Sequence, residues 1–370
     1  MTFTVNSEVF LQPLVLASDV VESKSTNPVL SCVLIEFVGS LVRVTGTDNE
    51  MILVSEAQTM LDLEPGVSLK VAVNARKIVE IVKALESDQL SLALSSNGLL
   101  TLESRGARFQ LTALPAEDFP EGGVLVDQGN SVVVDAKFLR DKFKQVSFAM
   151  AAQDVRPFLK GLYMHSDQEA VKLVATDGHR LSVGAFAPAE GRLEHDVIIP
   201  RKAVNQILKL VSQRSEAVKL SISNTHLRVD LDGCCFVTKL MDGKYPDYTR
   251  VIPRDFSEQV IVDREDLRKS LTRVAILSND TLRCVRFSFS QGVLDISAAN
   301  YDSEEASESL PCDYSGPDVS IGLNANYVLE ALSHTVGEVA VMKFIDANNS
   351  VLIQSELEPD LLFVIMPMRI

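Results

Sequence analysis

No stretch of this chain approaches the roughly 18 apolar residues that a membrane-spanning helix requires, and its start, Met1-Thr2-Phe3-Thr4-Val5, has neither the basic nor the apolar segment of a secretory signal. A cytoplasmic location is expected. Histidine is scarce, with 5 residues, and cysteine equally so: Cys32, Cys234, Cys235, Cys284 and Cys312. An odd number with one adjacent pair, and no Cys-x-x-Cys or Cys/His spacing suited to zinc, points to reduced structural thiols and to no metal or cofactor. A Gly-x-Ser-x-Gly elbow and a phosphate-cradling glycine loop are also missing. What is left for an enzyme is a hydrolase in which Asp177 orients His179, two residues away in a turn, and a cysteine such as Cys234 attacks. An Asp and a His so placed more often hydrogen-bond the turn itself, so no catalytic activity is expected.

Positive charge is in deficit as well: 35 Lys and Arg against 50 Asp and Glu give a formal net charge of -15. Taken as a sum, that opposes nucleic acid, because an acidic surface repels phosphate. Its distribution along the chain reads differently.

The chain has 370 residues, 46% of them apolar, enough for two or three domains with proper cores. One pattern recurs at a spacing of about 128 residues, too long for a solenoid and right for duplicated domains. Phe3-Thr4-Val5 leads into a helical stretch over 7–20, Val132-Val133-Val134 into 136–150, and Val260-Ile261-Val262 into 264–278. Inside each copy the arrangement repeats, with helices over 75–85, 201–213 and 325–334 followed by alternating strands such as Leu99-Leu100-Thr101-Leu102. A strand running into a polar turn marks all copies: Thr45-Gly46-Thr47-Asp48, Ala175-Thr176-Asp177-Gly178-His179-Arg180-Leu181 and Ser297-Ala298-Ala299-Asn300. Only the middle copy continues with Gly, His, Arg and Leu, and function is expected there. Proline, glycine and acidic residues cluster near 120–130 and 253–258, which sets domains at 1–125, 126–254 and 255–370. The class is α+β, with helices on one face of antiparallel sheets.

The helices carry the informative charge. Phe138, Leu139, Phe143 and Val146 form one stripe, opposite Lys137, Arg140 and Lys144. Val204, Ile207, Leu208 and Val211 oppose Lys202 and Lys209; Ile78, Ile81, Val82 and Leu85 oppose Arg76 and Lys83; Leu267, Leu271 and Val274 oppose Arg268, Lys269 and Arg273. Any one such face is ordinarily just solvated. The same sign in equivalent helices of repeated domains points to a shared anionic partner, whereas a repeat-built protein scaffold that never meets DNA has no need of it.

Over essentially its whole length the chain resembles the bacterial sliding clamp family, the DNA polymerase III beta subunits that act as processivity factors. The resemblance rests on Gln153-Asp154-Val155-Arg156, on Ala175 to Leu181 quoted above, and on Pro200-Arg201-Lys202 and Lys244-Tyr245-Pro246-Asp247-Tyr248. It rests also on Ala275-Ile276-Leu277-Ser278-Asn279 and the end, Val364-Ile365-Met366-Pro367-Met368-Arg369-Ile370. It implies a homodimeric ring of clamp-fold domains, antiparallel sheets outside and helices lining a hole that holds double-stranded DNA without sequence preference. It further implies that the replicative polymerase, the clamp loader, translesion polymerases and repair proteins dock through short peptides.

For individual residues the resemblance implies three groups. Lys24, Arg76, Gln153, Arg156, Phe158 and Lys202 face DNA. The partner-peptide cleft takes Leu159, Thr176, Gly178, His179, Arg180 and Leu181, then Pro246, Arg250, Val251 and Ser350, and finally Val364, Ile365, Met366, Pro367, Met368, Arg369 and Ile370. The residues themselves support the last part: 361–365 reads as a strand, Pro367 has no N–H to continue its ladder, and Met366, Met368 and Ile370 are expected near the surface. Flexible methionine side chains suit a pocket that takes several peptides. The dimer interface joins Ile81, Arg108, Phe109 and Leu111 of one chain to Ile276, Leu277, Asp302, Glu304, Glu305 and Glu308 of the other, opposite charges flanking an apolar patch.

Overall fold

In the computed structural model of the chain the residues described are 2–22, 26–59, 68–85, 88–120, 130–167, 170–212, 216–253 and 255–369. Among them are the helices α1 (Ser7–Ser18), α2 (Ala75–Ala84), α3 (Ala136–Ser147), α4 (Arg201–Ser212), α5 (Arg264–Val274) and α6 (Ala325–His334). Each follows a strand directly, and four start beneath an Asn or Asp side chain. Asn6 accepts from the N–H groups of Glu8 and Val9 at 3.0 and 3.1 Å, Asn74 from Lys77 at 3.0 Å, Asp263 from Asp266 at 2.8 Å and Asn324 from Asn326 at 2.9 Å. These caps satisfy donors for which the first helical turn has no partner.

Helices α1, α3 and α5 end earlier than periodicity suggests. After α1 the Asp19 N–H bonds Leu16, and after α3 those of Ala149 and Met150 bond Val146 and Ser147, so the last turns tighten from i−4 to i−3. α5 likewise passes into a 3-10 turn over Ala275–Leu277. The stripe on α3 needs correcting too. Leu139, Phe143 and Val146 are fully buried, but Phe138 is 41% exposed, one position off that face, and meets Phe186 edge-on at 6.3 Å. Lys142, which lies between the buried positions, is itself buried and bonded to Glu358, whose other oxygen accepts from Gln145 at 2.9 Å.

Residues group into two compact units, Met1–Lys137 with Ala189–His195 and Asn205–Leu240, and Phe138–Pro188 with Asp196–Val204 and Met241–Ile370. The first unit is built on a 13-stranded antiparallel sheet and the second on a 12-stranded one. The middle repeat contributes strands to both sheets, because its neighbours join it edge to edge. In the first unit Met51–Gln58, the fourth strand of the first repeat, pairs with Cys234–Lys239, the last strand of the second, from Met51↔Thr238 to Ser55↔Cys234. In the second unit the rule recurs: Arg180–Phe186 pairs with Glu358–Ile365, from Arg180↔Ile365 to Val183↔Leu362. Two strands of these classes are left over. Glu305–Asp313 pairs along one edge with Val293–Ala299, and on its other edge only Cys312 and Asp313 are paired among the described residues. Ala107–Leu114 is likewise paired with Leu99–Ser104 on one edge and only at Ala113 and Leu114 on the other.

The first core centres on Phe3, Phe10 and Phe37, each no more than 1% exposed, with the rings of Phe3 and Phe37 5.5 Å apart. Helix α1 lies so close to the sheet that a Cβ on Gly46 would fall 1.9 Å from the Ala17 carbonyl oxygen, which fixes glycine in that strand. In the second unit Phe289 packs against Phe344 and Tyr314 at 5.0 and 5.9 Å. Among the described residues no helix is long and apolar enough to cross a membrane, and no group of His, Cys, Asp and Glu is arranged to hold a metal ion.

Candidate functional site

The Thr176–Arg180 turn is held by its own side chains. Asp177 Oδ1 accepts from the N–H groups of His179 and Arg180 at 3.0 and 3.1 Å, and Oδ2 accepts from Arg180 Nε at 3.0 Å. The Thr176 hydroxyl donates to the Arg180 carbonyl at 2.5 Å and accepts from the Gly178 N–H at 3.0 Å. The same device recurs in the first repeat, where Asp48 accepts from Glu50 and Met51 at 3.0 and 2.6 Å, and in the third, where Asn300 accepts from Asp302 and Glu304 at 3.0 Å. Both oxygens of Asp177 thus accept from the turn itself, the bonding an Asp in such a turn most often makes.

Only in the middle copy does glycine follow the aspartate. Gly178 sits at φ +89°, and a Cβ there would come within 3.0 Å of the Arg156 guanidinium. Arg156 is held at that place by Asp154, Nε to Oδ1 and Nη2 to Oδ2 both at 3.0 Å, and the hydrogen bonds from Arg156 pull the Asp154 carboxyl down to about 2. Arg180 turns the other way. It bonds Asp177, Glu330 on α6 and the Phe148 carbonyl, and its guanidinium lies over the rings of Tyr327 and Phe148 at 4.4 and 5.2 Å.

Beside this turn opens a cleft of about 220 Å³. Its floor is apolar and buried: Leu159, Leu181 and Val364. The rim is apolar yet exposed, with Val251 and Met366 each at 41%. Thr176, Gly178, Arg180 and Pro246 complete the expected set that converges there. Arg156 and Phe158, expected to face DNA, line it as well, as do Asp247 and Tyr248, which the sequence reading had omitted. The Tyr-Pro-Asp-Tyr run was the available signal, since proline keeps this segment out of helix and strand ladders and its aromatics must find apolar cover on a neighbouring surface. Burial raises the Tyr248 and Tyr245 hydroxyls above the ordinary tyrosine range, so both stay protonated.

Other expected cleft residues sit around it. The His179 carbonyl accepts from the Met366 N–H at 2.9 Å, and the Ser350 hydroxyl donates to the Met366 sulfur at 3.0 Å, so both hold a lining residue. Arg250 is exposed and paired with Asp247 at 2.9 Å, while Ile365 is buried in its strand. Pro367 does end the ladder at Ile365, but the chain does not then run free. The Met368 N–H bonds the Gly322 carbonyl at 2.8 Å, leaving Met368 half-buried, and Arg369 lines a separate groove with Leu282 and Tyr301. Ile370 lies outside the described residues.

Of the residues expected at DNA, Lys24 lies outside the described residues, while Gln153 and Lys202 are exposed. Arg76 is exposed and paired with Glu80 at 2.8 Å, and Phe158 is half-buried, edge-on to Tyr245 at 6.4 Å. The basic face of α5 is thinner than its sequence suggests, because Glu265 takes both Arg268 and Lys269 and Glu308 takes Arg273. Of the expected interface, Ile276 is 72% exposed, Leu277, Ile81 and Phe109 are half-buried, and Leu111 is buried. Arg108, Asp302, Glu304 and Glu305 are exposed, Arg108 lying 3.2 Å from Glu103, whereas Glu308 is already bonded twice to Arg273 at 2.6 Å.

Comparison with known proteins agrees with this architecture. Family models of the DNA polymerase III beta subunit match along the chain, the N-terminal domain at residues 1–123, the central domain at 133–247 and the C-terminal domain at 249–369. The beta sliding clamps of Pseudomonas putida and Escherichia coli K12 are 37% and 33% identical over the full length of both chains. Among solved structures, that of a Pseudomonas aeruginosa sliding clamp bound to griselimycin superposes with a TM-score of 0.93 at 36% identity, and that of Caulobacter crescentus with 0.94 at 30%, each covering the whole of both chains. With three repeats matched in order and relatives similar end to end, the chain belongs to the DNA polymerase III beta subunit family, the beta sliding clamps, non-catalytic processivity factors of DNA replication.

Proposed function

We propose that two copies of this chain close head to tail into a ring around double-stranded DNA and tether the replicative polymerase and other replication and repair proteins to it. The observation that carries this reading is the pair of left-over strands. Twice within the chain the fourth strand of one repeat pairs with the last strand of the next, and the same rule, applied once more, joins Glu305–Asp313 of one copy to Ala107–Leu114 of the other. A closed sheet has no exposed edge on which to aggregate.

The internal junctions also supply a register. Met51 and Glu304 are equivalent, since their carbonyls accept from the N–H groups of Asp48 and Asn300. Thr238, Ile365 and Leu111 are equivalent, since each lies the same distance before a residue paired with the strand that leads into the second helix of its repeat: Met241, Met368 and Leu114. Met51↔Thr238 and Arg180↔Ile365 then predict Glu304 opposite the partner's Leu111 and Ser307 opposite the partner's Arg108. Arg108 becomes the diagonal neighbour of Glu305, close enough for their side chains to meet.

Domains of 1–125, 126–254 and 255–370 in each chain, cytoplasmic location and inward-facing helices complete the reading. Lys202, Arg76, Gln153 and Arg156 are the exposed groups that it turns toward phosphate. A ring held by topology needs only weak contacts of this kind, so binding is sequence-independent and the ring slides. The apolar cleft takes short peptides of polymerases, the clamp loader and repair proteins, and the griselimycin complexes of relatives favour ligand docking on this family.

Retention on nicked circular DNA tests the proposal. Protein loaded on a circle should stay bound through gel filtration and be lost when the circle is cut to a linear form; equal retention on both would overturn it.

A further inference from the structure

Two lining residues of the cleft, Phe158 and Tyr248, are linked by a run of ring contacts. Phe158 is edge-on to Tyr245 at 6.4 Å. Tyr245 stacks on Tyr163 at 4.6 Å with an interplanar angle of 3°, Tyr163 on His165 at 5.0 Å, and His165 meets Tyr248 at 5.8 Å between ring centres. The relay is pinned at its middle by the Tyr163 hydroxyl, which donates to Asp196 at 2.7 Å, and at its end by His165 Nε2, 2.9 Å from the Tyr248 oxygen.

The direction of that last bond follows from its surroundings. His165 Nδ1 lies 3.2 Å from the Ser166 carbonyl oxygen, which can only accept, so the tautomer that satisfies this contact has its N–H at Nδ1. Nε2 is then the acceptor and the Tyr248 O–H the donor. Tyr248 needs this tether because it opens the short 3-10 turn Tyr248–Arg250, whose other hydrogen bonds are local. Asp247 accepts from the Thr249 N–H at 3.2 Å and its hydroxyl at 2.6 Å, and the Val251 N–H donates back to Tyr248 at 3.2 Å. The bond to His165 ties the turn to the strand Gly161–Asp167 and fixes the Tyr248 hydroxyl, while the Tyr248 ring packs against the buried cluster of Leu181, Tyr245 and Val364.

We propose that His165 is a positioning residue for the cleft: by holding the Tyr248 hydroxyl it fixes the wall formed by Tyr248 and Val251, and so sets the width that selects the anchor side chain of a docked peptide. A cleft of about 220 Å³ leaves little slack, and a wall free to tilt loses contact with a leucine-sized anchor before a phenylalanine-sized one. The inference rests on the reading of this cleft as the peptide site, and the test separates the two.

The probe is a fluorescein-labelled hexapeptide with leucine and phenylalanine anchors, titrated against the full chain, its His165→Ala and Tyr248→Phe variants, and the double variant. Tyr248→Phe removes a single oxygen and serves if His165→Ala fails to fold. Each single change should weaken binding about threefold to tenfold, the scale of one hydrogen bond. The double variant should bind no more weakly than the worse single one, since both remove one interaction. A second hexapeptide with phenylalanine in place of leucine should lose less. Parent-like affinity in both single variants, or effects that multiply, overturns the role of His165. Leu181→Glu is the control on the site: if it leaves binding untouched, the peptide docks elsewhere and both readings fall.

Discussion

Ile276 stands to helix α5 as Phe148 stands to α3: each is the same number of residues beyond the helix start, yet Phe148 is stacked on His334 of α6 at 4.9 Å while Ile276 is 72% exposed. At the junction within the chain, the residue in this place is covered by the neighbouring repeat. In the proposed ring, Ile276 would by analogy meet the partner's α2, beside the turn that holds Ile81 and Ala84. Ile276→Ala combined with Leu277→Lys should therefore give folded monomers, because burial of such a side chain is worth about 1.5–3 kcal/mol and each ring has two junctions. Sedimentation of an unchanged dimer would place the interface elsewhere.

The proposed register is open to a sharper measurement. Arg108→Cys with Ser307→Cys should cross-link two chains under mild oxidation, since directly opposed residues bring their Cβ atoms to roughly 5 Å. Arg108→Cys with Ala306→Cys should not, because neighbouring positions on a strand point to opposite faces. Equal yields from both pairs would mean a slipped or different junction.

His334 makes stability depend on pH. Burial holds it below the ordinary histidine value of about 6.5, against the opposing pull of Glu330 and with the help of Lys144. With the folded value depressed, the unfolded chain takes up the proton first. Its contribution is complete above about pH 6.5 and is lost as pH falls through the lower folded value. Thermal melts should show a decline over that window that His334→Phe, which keeps a ring on Phe148, removes. An unchanged slope in the variant would assign the decline to other groups.

How much of this was open to sequence reading depends on how local the cause is. The repeats were legible because each turn is made by side chains within it, Thr47 and Asp48 or Thr176 and Asp177, so the residue pattern and the geometry coincide. Strand and helix order followed from alternation and period for the same reason. That Phe158 lines the cleft was not legible because it lies in the short turn Pro157–Lys160, where no period says which way a side chain points. Lys142 illustrates another limit: a lysine reads as surface, and only Glu358, far along the chain, explains its burial. The helix charges were visible, but not that Glu308 neutralises Arg273 from the strand Glu305–Asp313. Nothing local links His165 to Tyr248.

Arg180 and Arg250 carry the same charge and are each paired to an aspartate, yet they should differ in effect. The Arg180 side chain is 12% exposed and answers Asp177 and Glu330, whereas that of Arg250 is 83% exposed. Arg180→Ala leaves partly buried carboxylates without their partner and should cost on the order of 3 kcal/mol in denaturant titrations. Arg250→Ala should stay within about 0.5 kcal/mol of the parent. Similar losses for both would contradict the structural role given to Arg180.

Met366 gives the most direct test of the cleft. It lines the rim at 41% exposure, with its N–H fixed by His179 and its sulfur met by Ser350, so the side chain is presented in one place to whatever binds. Deleting residues 366–370 should abolish peptide binding and polymerase stimulation while sparing the dimer and its retention on circular DNA. That deletion also removes the Met368 bond to Gly322, however, and a loss of affinity from it has two causes. Met366→Glu keeps the bond and changes only the rim, setting a charge where a peptide's apolar anchor must be buried. Complete burial of a methionine is worth about 1.5–3 kcal/mol, which corresponds to roughly tenfold to hundredfold in affinity. The hexapeptide should weaken by at least that factor, while sedimentation and retention on circular DNA stay as in the parent. Unchanged peptide affinity in Met366→Glu would remove the C-terminal segment from the binding wall and with it the proposed site.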